Sequence, residues 1–71
     1  MKTAFFNNND FTYFAEVTKV DAIKGALSLK ITSQWLSAKN PDEEQTQLQV
    51  TCTKDDLLKL SELLKKGAIN V

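Results

Sequence analysis

LQVTCTKDDLLKLSELLKKG, residues 48–67, is the stretch on which the fold turns. Up to Cys52 the apolar residues fall at every second position. Leu48, Val50 and Cys52 lie on one side and Gln49 and Thr51 on the other, the period of a half-buried strand. At Thr53 the period changes to 3.6. Leu57, Leu60, Leu63 and Leu64 then share one face of a helix and form its expected buried stripe, with Leu58 off it. Thr53 with Asp56 three residues on predicts a capping box, Asp55 and Asp56 complement the helix dipole, and Lys65, Lys66 and Gly67 close the helix. Ala68–Val71 reads as the start of another extended segment.

Upstream, Ala26–Ser37 repeats the period of 2, with Leu27, Leu29 and Ile31 opposite Ser28, Lys30, Thr32 and Gln34. The aromatic and β-branched run Phe11–Val20 suits a strand, with Tyr13 and Phe14 on opposite faces. Asp21–Gly25 is a connection in which Gly25 supplies the turn. Ser37–Gln45, broken by Asn40-Pro41, reads as a polar hairpin tip. Residues 1–10 read as an irregular lead-in, because Asn7, Asn8, Asn9 and Asp10 favour turns. The expected chain is therefore this lead-in and a single domain over 11–71, mainly β with one helix, in the order β-β-β-α-β.

Composition narrows the function. Seventy-one residues make one domain with a thin core, of a size that commonly needs a disulfide, a metal or a partner subunit. Cys52 is the single cysteine and there is no histidine, which removes an internal disulfide and an ordinary zinc site. Oligomerisation is what remains. Nine lysines balance nine acids and arginine is absent, so the planar fork that reads guanine edges in a duplex is missing. No apolar run approaches the ~20 residues of a membrane span, and Met1–Phe6 is too short for a signal peptide, so a cytoplasmic protein with a reduced thiol is expected.

Catalysis is not expected. The usual general base, histidine, is lacking, and Cys52 sits in the apolar register without an activating partner. Asp42, Glu43 and Glu44 read as a solvated charge run. Gly25 and Gly67 are the only glycines, too few for a phosphate loop. No cofactor, metal or small-molecule substrate is implied.

The run Ile31-Thr32-Ser33-Gln34-Trp35, the polar loop after it, Glu44-Gln45-Thr46, and then Leu57, Leu64, Lys66 and Gly67 followed by Ile69 and Val71, resembles the bacterial single-stranded-DNA-binding protein family. The resemblance spans about residues 17–71. It implies an oligonucleotide-binding fold, here a shortened, partial OB-like barrel with its helix between the third and fourth strands. Asp21–Gly25 stands where the family has a glycine-rich connection, Leu48 where it has an aromatic residue, and the arginines, last strand and acidic tail are absent. Such a barrel does not close on this chain alone: either the chain is a shortened relative, of a phage or mobile element, or another copy supplies the missing edge.

The resemblance implies a non-catalytic module for single-stranded DNA, acting as a homo-oligomer, with Trp35 stacking on bases and Lys30, Lys39, Phe14 and Gln34 beside it. The competing expectation is a protein-interaction or inhibitor protein of a phage or mobile element, without DNA binding, in which Phe5, Phe6 or Trp35 meets a protein.

Overall fold

A computed structural model describes residues 1–36 and 43–70. Four strands, β1 (Lys2–Asn7), β2 (Phe11–Lys19), β3 (Leu27–Trp35) and β4 (Glu44–Cys52), precede one helix, α1 (Lys54–Asn70). The strands form a single antiparallel meander in the order β1-β2-β3-β4. This overturns the expected β-β-β-α-β order and the OB-like barrel: the helix follows all four strands, and among the described residues no strand comes after it.

Two corrections account for the difference. The supposed lead-in is a strand, and the asparagine run is the turn of a hairpin. Asn8 Oδ1 accepts from the backbone N–H of Asp10 and of Phe11, both at 2.8 Å, while the Asn8 N–H donates to the Phe11 carbonyl at 2.9 Å. An asparagine that turns the chain with its own side chain lets Phe5-Phe6 pair back against Tyr13. At the other end, helix continues through Gly67 to Asn70, where an extended segment was expected. Gly67 has open space around it, so nothing in the packing forces a stop there.

The helix start matches its reading. The Thr53 hydroxyl accepts from the Asp56 N–H at 3.2 Å, and the Asp56 carboxylate accepts from the Thr53 N–H at 2.9 Å. Gly25 adopts φ 79°, closing the β2–β3 turn in the left-handed region that glycine enters without strain.

Each strand alternates, so the register sorts the residues onto two faces. One face carries Ala15, Ile31 and Leu48 in one row, Val17, Leu29 and Val50 in the next, and Leu27 beside Cys52. The other carries Lys2, Glu16, Lys30 and Gln49 in a row across all four strands, then Ala4, Phe14, Thr32 and Thr46, then Asn7, Thr12, Gln34 and Glu44. Irregular pairing in β1 brings both Phe5 and Phe6 against Tyr13; a second shift, in β4, places Gln47 Nε2 2.8 Å from the Ser33 hydroxyl it donates to.

The packing departs most from expectation. Among the described residues no apolar side chain is buried, and the three buried ones, Thr12, Thr32 and Ser33, are polar. Three of the four leucines of the expected buried stripe, Leu60, Leu63 and Leu64, lie in the open, with Leu63 at 65% and Leu64 at 62% exposed. Only Leu57 and Ser61, one turn apart, are half-buried in α1. The helix leaves the sheet after a one-residue connection, Thr53, and barely touches it.

Candidate nucleic-acid face

Trp35 and Lys30 lie on the same strand at opposite parity, and the register therefore sends them to opposite faces. Phe14 pairs with Thr32 and so joins Lys30 and Gln34 on the polar face. The expected constellation thus divides: Phe14, Lys30 and Gln34 are brought together, and Trp35 is not among them. Lys39 lies outside the described residues.

Among the described residues the polar face is built from threonines, amides, two cations and two acids. Lys2, on edge strand β1, reaches across β2, and its ammonium stands 4.7 Å from the centre of the Phe14 ring. The same ammonium donates to both Glu44 oxygens, at 2.8 and 2.9 Å, although Glu44 belongs to the opposite edge strand. Glu44 in turn accepts from the Thr32 hydroxyl at 2.8 Å. The Lys2–Glu44 pair therefore straps the face from edge to edge, over Phe14 and Thr32. Hydrogen bonding from Lys2, and then from Thr32, holds the Glu44 carboxyl below its ordinary value. Glu16 stands between Lys2 and Lys30 in the cross-strand row, so the charges of the face cancel.

What this face can do chemically is bind. Phe14 offers a half-exposed ring on β2, with Lys30 and Gln34 on the neighbouring strand β3, Gln49 one strand further on, and the Lys2 ammonium reaching it from β1, giving a stacking surface with donors on either side. No group of three or more His, Cys, Asp or Glu side chains placed to hold a metal occurs among the described residues.

Trp35 has a different setting. Its ring stacks on Phe11, with centroids 6.0 Å apart and planes 11° from parallel, and it is 51% exposed. Phe11 leads on to Tyr13 at 6.4 Å, and Phe5 and Phe6 stand 6.2 and 5.6 Å from the same tyrosine. Five aromatic rings thus gather at the hairpin end of the apolar face. Next to them Phe5, Phe6, Tyr13 and Ile31 line a depression of about 450 Å³. Two residues that shape the polar site, Lys2 and Glu44, were missed in the sequence; Lys2 was hidden by reading residues 1–10 as irregular, and Glu44 by taking it for part of a charge run. The one available signal was the aromatic pair Phe5-Phe6 and Phe11 on either side of an Asn/Asp turn, the pattern of a hairpin.

The chain matches no protein-family model, no curated protein and no solved structure, so nothing in these comparisons identifies the bacterial single-stranded-DNA-binding family that its motifs resemble. No helix among the described residues is long and apolar enough to cross a membrane.

Proposed function

We propose that this chain is a non-catalytic binding module for single-stranded nucleic acid, and that the strand lies along the polar face of the sheet. The observation that carries this reading is Phe14: an aromatic ring on a face of lysine, amide and hydroxyl side chains that also holds Glu16 and Glu44, with a cation already seated over it. A base stacks on Phe14 in place of the Lys2 ammonium, which turns to a phosphate. Lys30 meets the next phosphate, and Gln34 and Gln49 offer amide groups to base edges without selecting one. Sequence-specific duplex reading is not part of this proposal, because no guanidinium is present to read base edges in a groove.

The experiment is a titration of the whole chain into an end-labelled thymidine oligonucleotide at low ionic strength, read by anisotropy of the label. Saturable binding is expected, and Phe14→Ala should weaken it about tenfold, since one stacked base is worth roughly 1–3 kcal/mol. No binding by the wild-type chain, or an unchanged affinity in a Phe14→Ala chain with native circular dichroism, rejects the proposal.

The aromatic end of the apolar face supports a second reading, contact with protein. Stacked and edge-on rings at half exposure are the composition of an interface anchor. Trp35→Ala should then change the mass of the species in solution and leave oligonucleotide affinity alone.

A further inference from the structure

We infer that the apolar face of the sheet and the leucine stripe of α1 are two halves of one interface, each covered by its counterpart in a second copy of this chain. A folded chain of 8.0 kDa exposes about 4,450 Å² by the usual scaling of surface with mass. This one exposes 5902 Å². The surplus is about 1,450 Å² per chain, so covering it in a pair hides about 2,900 Å² in total, within the range of obligate homodimers. Its dimensions agree: the backbone measures 38 × 38 × 16 Å with a radius of gyration of 14.2 Å. A compact chain of this length has a radius of about 11 Å.

The second copy is favoured over another occupant by what is missing. The sheet has an apolar face without a helix on it, and the helix has a leucine face without a sheet beneath it. Both deficits occur once per chain, so a twofold exchange, helix of one copy on sheet of the other, removes both and closes the assembly. The one-residue connection at Thr53 gives α1 little slack to fold back over its own sheet, because helices that return onto a sheet commonly use two to six residues. The covered surface also has to be present whenever the chain is folded. Hydrophobic burial is the dominant force in folding, and a chain with no buried apolar side chain among its described residues has little of it alone. A second copy is the partner always made in the same amount. The depression lined by Phe5, Phe6, Tyr13 and Ile31 is then the receptor for leucines of the partner's helix.

The test is sedimentation equilibrium and thermal melting of the full chain with no nucleic acid present, so that its result is independent of the polar face. A species of about 16 kDa is expected, with a melting temperature that rises by about 5 °C per tenfold increase in concentration, as folding coupled to association requires. A species of 8.0 kDa with a cooperative, concentration-independent melt overturns the inference. A mixing experiment tests the exchange itself. Leu63→Lys with Leu64→Lys damages the helix half and Ile31→Lys the sheet half, and each chain alone should lose the dimer. Refolded together they should regain it, because the intact helix of one fits the intact sheet of the other. Dimers from either variant alone, or none from the mixture, overturn the reciprocal arrangement.

Discussion

Two carboxylates show how single side chains set the stability of this chain. The Thr53 backbone N–H, donating to the Asp56 carboxylate, and then the Thr53 side chain hold Asp56 below its ordinary value of 3.8. Glu44 is held below 4.5 by the Lys2 ammonium and then by Thr32. A carboxyl whose pKa is lower in the folded chain binds its proton less tightly there than when unfolded. Its contribution is full above the unfolded value and is lost as pH falls through the folded one. The melting temperature should hold down to pH about 4.5 and decline below it, and Glu44→Gln should make the first part of that decline shallower. A decline of unchanged shape in Glu44→Gln would show that the edge-to-edge pair contributes nothing. Thr53→Ala removes the cap outright. It should cost about 1 kcal/mol, seen as a fall in melting temperature of about 4–8 °C for a chain this small.

At the scale of elements, the strands with strict alternation were legible, and so was the helix start, because a switch from period 2 to 3.6 at Thr53 has no other reading. β1 was not legible as a strand. Its six residues are all exposed, so burial had imposed no alternation on KTAFFN, and irregular pairing between Ala4 and Phe6 puts neighbouring phenylalanines against the same tyrosine. The helix end was misread for the opposite reason: glycine often stops a helix, but only where a left-handed residue is needed, and here none is. Of the candidate site, parity along β3 already separated Lys30 and Gln34 from Trp35, while the strap from Lys2 to Glu44 depends on two edge strands and is not written in any local pattern. That strap yields a prediction of definite sign. It covers Phe14 and occupies the Lys2 ammonium with an acid, so a nucleic-acid strand has to open it. Glu44→Gln should strengthen oligonucleotide binding by up to about fivefold, the worth of one exposed ion pair, although it removes a bond that helps hold the sheet. Weaker binding in that variant would place Glu44 among the groups that favour the strand.

At the scale of the whole molecule, zero net charge decides how binding responds to salt. In the pair proposed above, the apolar faces turn inward and the polar faces outward on opposite sides, so each copy meets its own strand with its own cations. Those are Lys30 and, once the strap opens, Lys2; Glu16 stands in the row between them. A single strand that has one or two phosphates neutralised loses affinity with salt at a slope of about −0.7 to −1.4 in log–log form. Measured by oligonucleotide anisotropy over a range of salt, the slope should fall in that window, with one site per copy, and Lys30→Gln should flatten it by about 0.7. A much steeper slope would mean that many more lysines reach the strand, and since among the described residues the polar face of the sheet has only two, it would point to a strand that runs over the helix, where Lys54, Lys59, Lys65 and Lys66 lie. Stacking on Phe14 would in that event contribute little, so the salt series and the Phe14→Ala affinity locate the strand on one side of the molecule or the other.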